Sequence, residues 1–171
     1  MSRSEINKME IDFLRQAYMV AKQQSTDPSI QNGAILVDYY RSNPGVVGWG
    51  ANKFPNNVRE APERWERPLK YEYVEHAERN ALYQACRAGV STQGLWMFVP
   101  WFACVDCARA IIQCGISTVV GHQQAFDKTP QRWRDNIARA LEMLDEAGVI
   151  YRLLDCHVGV AVRFNEKETM F

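Results

Sequence analysis

Short apolar segments alternate with helix-length amphipathic segments in the second half of this sequence. The apolar segments cover 95–99, 117–121 and 149–154, and apolar spacing predicts helices over 104–115 and 130–147. Because a full helix rather than a tight turn joins the last two segments, we predict that they form parallel strands with a right-handed crossover. This alternation indicates an α/β domain.

The first half of the sequence adds a helix and a hairpin to this pattern. Apolar residues recur at helical spacing over 5–22, whereas 33–38 and 45–49 are β-prone segments joined by a turn-rich link. A further helix is predicted over 74–88, ending at a glycine. The order of elements predicts a mixed sheet with helices on both faces, and we expect 158–162 to add an edge strand.

Length and charge restrict the class of protein. The 171 residues, 47% of them hydrophobic, can bury one sizeable core and contain no repeats or long linkers, so we predict a single domain over 1–171. Twenty Lys plus Arg balance twenty Asp plus Glu, which leaves no broad basic surface for a stable nucleic-acid partner. Charges interrupt the N-terminal segment, and the longest uncharged run, 88–105, is polar and contains a proline. We therefore expect no secretory signal, no membrane partner and a cytoplasmic location.

The number of cysteines favours metal binding over a disulfide framework. The chain contains five, at Cys86, Cys104, Cys107, Cys114 and Cys156, and an odd count without a secretory signal fits a disulfide scaffold poorly. We interpret Cys86 and Cys114 as buried thiols on helix faces.

The segments His76-Ala-Glu78 and Cys104-Val-Asp-Cys107 each lie at the predicted start of a helix. Cysteines three residues apart project from one helix face, where the positive helix end favours the thiolates that zinc requires. With His76 as a third ligand, the fourth tetrahedral position stays open for water, as in catalytic zinc sites. Zinc would acidify that water, and Glu78 can move its proton. This pattern indicates hydrolytic deamination.

Other interpretations of the same residues remain open. A C-x-x-C pair also occurs in redox sites, Glu78 can simply complement the helix dipole, and His76 can be a buried structural histidine. A closed structural zinc site is a further alternative, because Cys156, His157 or Cys114 can supply a fourth ligand. We favour the open site because both segments occur together at predicted helix starts.

The two segments also match the H-x-E and P-C-x-x-C signature of zinc deaminases, except that Ala103 replaces the proline. Over residues 25–120 the chain resembles deoxycytidylate deaminases of the cytidine/deoxycytidylate deaminase superfamily. The segments that carry this resemblance are 26–37, Gly50-Ala-Asn-Lys-Phe-Pro55, 67–81 and 107–116.

The resemblance implies a three-layer α/β/α cytidine-deaminase-like fold, with a mixed five-stranded sheet whose last two core strands are parallel. It implies that His76, Cys104 and Cys107 bind Zn²⁺, while Glu78 protonates the ring nitrogen and activates water for attack at C4. The implied reaction converts dCMP to dUMP, which supplies the synthesis of dTMP.

The resemblance also implies substrate contacts. Asn52 matches an asparagine that contacts the nucleotide sugar, since its amide offers both a donor and an acceptor; its alternative role is that of a turn residue. Ala77 is a further candidate contact. Trp101, together with Phe102, can form a wall for the pyrimidine, and core packing explains these two aromatic residues equally well. The 5′-phosphate requires a cation or backbone donors, for which the candidates are Thr26, Lys53, Arg59 and Lys70.

Alternative substrates and partners follow from the same analysis. A deaminase of dCTP or of a modified deoxycytidine nucleotide shares the chemistry, whereas a nucleic-acid base deaminase and a non-catalytic zinc module are less consistent with the sequence. The resemblance further implies a homo-oligomer, such as a hexamer, regulated by dCTP and dTTP, with Mg²⁺ accompanying the regulatory nucleotide.

Overall fold

The computed structural model describes residues 3–171, so residues 1 and 2 of the predicted domain lie outside the described residues. The helices of this part of the chain are α1 (Arg3–Gln24), α2 (Lys70–Tyr73), α3 (Ala77–Arg87), α4 (Val105–Gln113), α5 (Gln123–Asp127) and α6 (Gln131–Glu146). The strands are β1 (Gly33–Asp38), β2 (Gly45–Ala51), β3 (Trp96–Phe98), β4 (Thr118–His122), β5 (Ile150–Leu154), β6 (Ala161–Phe164) and β7 (Lys167–Met170). One turn of 3-10 helix covers Pro62–Trp65.

The first five strands form one mixed sheet in the order β2-β1-β3-β4-β5. Strand β1 pairs antiparallel with both β2 and β3, whereas β3-β4 and β4-β5 are parallel pairs. The predicted mixed five-stranded sheet and its parallel last strands are confirmed. Because two antiparallel pairings separate β2 from β3, these strands run in the same direction and end at the same edge of the sheet.

Helices cover both faces of the sheet, as predicted. Helix α1 packs on one face, whereas α3, α4 and α6 pack together on the other. Two glycines allow the close approach. A Cβ on Gly33 would lie 2.4 Å from the carbonyl oxygen of Ala17 in α1, and one on Gly50 would lie 2.2 Å from the backbone nitrogen of Ala81 in α3. Small residues in the sheet therefore determine how closely both helix layers pack.

The edge strand expected over 158–162 is wrong. Strand β6 instead pairs antiparallel with β7 in a separate two-stranded sheet. The chain reverses after β6 because Asn165 and Glu166 adopt positive φ angles of 52° and 67°. Val162 and Phe164 of this hairpin are buried, and Phe164 contacts Trp101 edge-on, with ring centroids 5.6 Å apart. This packing holds the hairpin against the core, away from the sheet edge.

The prediction that Cys86 and Cys114 are buried is also wrong. Cys86 is exposed and Cys114 is partly exposed, because they lie in the last turn and at the C-cap of α3 and α4, bordering an open surface groove. No helix within residues 3–171 is long and apolar enough to cross a membrane.

Candidate active site

Three potential metal ligands meet where α3 and α4 begin. His76 is the N-cap residue of α3 and Cys104 the N-cap residue of α4, while Cys107 lies in the first turn of α4. His76 Nδ1 lies 3.5 Å from Cys104 Sγ and 3.6 Å from Cys107 Sγ, and the two sulfur atoms are 3.6 Å apart. The helix starts predicted for these residues are confirmed. The sheet helps to explain the meeting point, because β2 and β3 end at the same edge. Helix α4 follows β3 after a short loop, and a backbone bridge between Lys53 and Glu75 returns the chain to the end of β2 before α3 begins.

These separations fit a zinc ion. Tetrahedral zinc with Zn–S bonds of about 2.3 Å and Zn–N bonds of about 2.0–2.1 Å places its ligand atoms roughly 3.3–3.8 Å apart. Within residues 3–171, His76, Cys104 and Cys107 form the only group of three or more His, Cys, Asp and Glu side chains whose ligand atoms all lie within 4.8 Å. Cys114, Cys156 and His157 lie outside this group, so the arrangement provides three ligands rather than four.

The two thiols of the site differ in how easily they ionise. The hydrogen bond between the two thiols lowers the pKa of Cys104 to about 3, and the hydrogen bond with His76 acts in the same direction against burial. Burial raises the pKa of Cys107, whereas the nearby Arg79 guanidinium lowers it. The site therefore favours the thiolate form that a metal requires at Cys104, whereas at Cys107 burial opposes that form and Arg79 supports it.

Glu78 lies two residues after His76. Together with His76 and Cys104 it lines a cavity at the start of the two helices. Its side chain is buried, and Oε2 has no hydrogen-bond partner among the described residues. Burial raises the pKa of this carboxyl group above its ordinary value. A buried carboxyl oxygen without a partner, beside three metal ligands, can exchange protons with a small molecule in the cavity.

Arg79 contacts one of the three potential metal ligands, Cys107, and does not line this cavity. Its Nη1 lies 3.5 Å from Cys107 Sγ, while Nε and Nη2 donate to the two carboxylate oxygens of Glu75 at 2.8 and 3.1 Å. Both side chains are largely buried. Glu75 therefore holds the guanidinium in position beside the Cys107 sulfur.

Aromatic residues and two asparagines form the rest of the cavity wall. The lining residues are Asn32, Asn52, His76, Glu78, Trp101, Phe102, Cys104, Trp133 and Ile137. Three hydrogen bonds fix Trp101. Asn32 accepts from its backbone N–H at 3.2 Å and donates to its carbonyl oxygen at 3.3 Å, and the indole N–H donates to Thr129 at 3.0 Å. This residue is therefore a rigid wall for a flat ring.

Asn52 and Trp101, both predicted to contact substrate, line this cavity. Asn52 is buried immediately after β2; its Oδ1 accepts the backbone N–H of Ala77 at 2.9 Å, and its Nδ2 donates to the carbonyl oxygen of Ile30 at 3.3 Å. Because an amide nitrogen carries two hydrogens, one N–H of Asn52 remains for a ligand.

Of the other predicted contacts, only Phe102 lines this cavity. Thr26 donates to Glu60 at 2.9 Å, Lys53 pairs through its backbone with Glu75, and Ala77 gives its backbone N–H to Asn52. Thr26, Lys53 and Ala77 line neither the catalytic cavity nor the second cavity beside it. The other two phosphate candidates separate: Arg59 is exposed and pairs with Glu63, whereas Lys70 lines the second cavity.

Several wall residues could not be identified from the sequence. Trp133 and Ile137 occur at the spacing of a core-facing helix stripe, and the same spacing places them over the cavity. Asn32 precedes β1 in a polar segment typical of a turn. The local pattern contains no signal for any of the three, because the residues that they face are distant in the sequence.

Comparisons with known proteins place these residues in a family context. A family model described as the cytidine and deoxycytidylate deaminase zinc-binding region matches residues 7–123, which include all three ligands and Glu78. The chain is 35% identical over 144 residues to an uncharacterized deaminase in the luxG 3′ region of Aliivibrio fischeri, covering 84% of this chain and 92% of that protein. It is 33% identical over 146 residues to the deoxycytidylate deaminase of Homo sapiens, covering 82% and 76%.

A solved structure shares the fold. The dCMP deaminase from the cyanophage S-TIM5, determined in complex with dCMP and dUMP, is similar with a TM-score of 0.68. It is 23% identical, and the similarity covers 90% of this chain and 99% of that chain. The arrangement of helices around the mixed sheet is thus common to both proteins.

Proposed function

The chain belongs to the cytidine and deoxycytidylate deaminase family, and from this membership we propose that it converts dCMP to dUMP by hydrolytic deamination. One observation of the site carries the proposal. Three potential metal ligands lie at tetrahedral spacing, and two of them, His76 and Cys104, line a cavity together with Glu78, whose buried carboxyl oxygen Oε2 has no partner among the described residues. The deoxycytidylate deaminases among the relatives support dCMP as the substrate.

His76, Cys104 and Cys107 would hold the zinc ion. When bound, Zn²⁺ supplies Lewis acidity that lowers the pKa of a water molecule. Glu78 takes a proton from the attacking water and delivers it to N3 of cytosine, while the water oxygen adds to C4. Glu78 then moves the proton of the new hydroxyl group to the amino group. The C4–N4 bond breaks, ammonia leaves, and the uracil ring remains.

The cavity walls position the cytosine ring for this reaction. Trp101, Phe102 and Trp133 are aromatic residues that can contact a flat ring and exclude bulk water from it. The free N–H of Asn52 can donate to an oxygen of the deoxyribose, which would orient C4 toward Glu78.

The resemblance to deoxycytidylate deaminases also supports proposals about the protein as a whole. It favours a single-domain, cytoplasmic enzyme that forms homo-oligomers and responds to dCTP and dTTP together with Mg²⁺. Light scattering at two protein concentrations tests the assembly. Assays with and without each triphosphate and Mg²⁺ test the regulation.

The reaction is tested by following uracil nucleotide formation from dCMP, dCTP, CMP and deoxycytidine with zinc-loaded protein. We expect selective formation of dUMP from dCMP. The variant Glu78→Gln keeps the size of the side chain but cannot carry the proton, so we expect kcat to fall by about 10²–10⁴-fold with zinc retained. The matched control Glu142→Gln, on the exposed side of α6, is expected to retain activity.

Two outcomes would contradict the proposal. If Glu78→Gln turned over dCMP at the rate of the unmodified protein, Glu78 would not move the proton. If dCTP were deaminated more efficiently than dCMP, the substrate would be the triphosphate.

A further inference from the structure

A second cavity lies directly beside the catalytic one. The two cavities share four wall residues: Asn52, His76, Trp101 and Trp133. The second cavity is also lined by three cationic side chains, Arg67, Lys70 and Arg132, and by the single carboxylate of Asp27. A molecule whose ring occupies the catalytic cavity can therefore extend its other end toward a cluster of positive charge.

One of these cations is already neutralised. Lys70 Nζ lies 2.7 Å from Asp27 Oδ1, and both side chains are buried, 7% and 3% exposed. The same Asp27 oxygen accepts the backbone N–H groups of Ser29 and Ile30 at 2.8 and 3.1 Å. This buried pair fixes the loop after Thr26 and leaves little charge for a ligand.

Arg67 makes three side-chain contacts, each of 3.2 Å or more. Its nitrogen atoms lie 3.2 Å from the Tyr71 hydroxyl, 3.3 Å from Glu166 and 3.5 Å from the Ser29 hydroxyl. The Arg67 side chain is 42% exposed and the Glu166 side chain 63% exposed. Exposed pairs of this kind contribute little stability, so a ligand anion can replace Glu166.

Arg132 has no hydrogen-bond or ion-pair partner among residues 3–171. It lies in the first turn of α6, where the helix dipole is unfavourable for a cation, and that turn contains no acidic residue. The N-cap residue, Pro130, supplies no side-chain hydrogen bond either. Arg132 is exposed, and an anion bound here would interact favourably both with its guanidinium and with the helix dipole.

From this geometry we propose that Arg132 and Arg67 bind the 5′-phosphate of the substrate in the second cavity, directly beside the catalytic one. The inference rests on the proposed function, because it assigns the part of that site that distinguishes a nucleotide from a nucleoside. A phosphate monoester is a compact, doubly charged group whose oxygens match the planar donor fork of each guanidinium. Lys70 and Asp27 line the same cavity, but each neutralises the charge of the other, so this pair adds little charge for binding the ligand.

The proposal is tested by measuring kcat/KM for dCMP and for deoxycytidine with Arg132→Gln and Arg67→Gln. Loss of a charge-assisted hydrogen bond should lower kcat/KM for dCMP by about 10–100-fold, with a change of less than about 3-fold for deoxycytidine. The control Arg139→Gln removes the same charge from an exposed position further along α6, and it should affect neither substrate.

Binding of dUMP and of deoxyuridine to the zinc-loaded proteins, measured by calorimetry, separates this inference from the proposed function. Tighter binding of dUMP than of deoxyuridine, lost in Arg132→Gln, supports the subsite even if dCMP is not deaminated. Selective deamination of dCMP with unchanged kinetics in Arg132→Gln and Arg67→Gln would keep the proposed function and overturn the subsite. Equal losses for dCMP and deoxycytidine would also overturn it, because the arginines would then not read the phosphate.

Discussion

Arg79 follows Glu78 in the sequence, yet it contacts Cys107 and does not line the cavity. The Glu75 carboxylate fixes its guanidinium at two points, and the third contact is with Cys107 Sγ. Because zinc requires a thiolate, a positive charge at this sulfur stabilises the metal-binding form of Cys107. Arg79 is therefore a positioning residue that acts through the zinc site.

We expect Arg79→Met to weaken zinc binding by about 10–100-fold, because it removes both the charge and the hydrogen bond to Cys107. Arg79→Lys should be intermediate, since an ammonium group keeps the charge but cannot contact Glu75 and Cys107 with one rigid fork. Competition with a zinc indicator measures the affinity directly, without reference to activity. Arg87→Met, at the exposed end of the same helix, is the control. Unchanged affinity in Arg79→Met would show that the contact has no role in metal binding.

The sequence predicts some residues of the site and leaves others unassigned. Cys104 and Cys107 could be predicted as a pair because their spacing is local, whereas His76, 28 residues from Cys104, was joined to them by the resemblance to zinc deaminases. Arg132 could not be assigned to phosphate binding from the sequence. Its proposed role depends on Arg67, which is distant in the chain and lines the same cavity only in the folded protein.

At the scale of elements, the sequence predicted the existence of helices and strands better than their contacts. Helix α3 was expected from residue 74 but begins at Ala77, because Asn52 accepts the Ala77 N–H from outside the helix. The C-terminal hairpin was misassigned to the sheet because an apolar segment of this length does not indicate its partner. Both differences arise from contacts between distant parts of the chain.

Strand β2 and helix α3 pack closely against each other at Gly50. A Cβ on Gly50 would lie 2.2 Å from the backbone nitrogen of Ala81 and 2.5 Å from the carbonyl oxygen of Ala77, and backbone atoms cannot yield without moving the helix. We expect Gly50→Ala to lower the free energy of unfolding by about 1–3 kcal/mol or more. Because α3 carries Glu78, activity should fall as well.

Gly45→Ala, in the same strand, is the matched control for this substitution. Its Cβ would meet only the carbonyl oxygen of Asn43, at 4.0 Å, so stability should change by less than about 0.5 kcal/mol. Urea unfolding of both variants provides the comparison. Equal stabilities for Gly50→Ala and Gly45→Ala would mean that α3 does not pack tightly on β2.

At the scale of the whole molecule, the even charge balance conceals a local asymmetry. The formal net charge is +0, yet Arg67, Lys70 and Arg132 line one cavity beside the metal ligands with only Asp27 among them. Net charge is a sum over the surface and contains no information about where the fold gathers its cations. The sequence could therefore indicate the chemistry of the site but not the location of its anion-binding surface.

Zinc should also link the stability of the molecule to its activity. The ligands join the starts of α3 and α4, two helices that pack on the same face of the sheet, so the ion binds the folded chain and not the unfolded one. Free zinc at about 100 times its dissociation constant adds about 2.7 kcal/mol, which corresponds to an increase in Tm of roughly 5–10 °C for a chain of this size. Calorimetric melting with and without a chelator measures this difference. Cys107→Ser should abolish the increase in Tm with zinc. The control Cys86→Ser, outside the ligand group, should retain that increase. Equal melting temperatures for zinc-loaded and chelated protein would show that the ion does not bridge the helices.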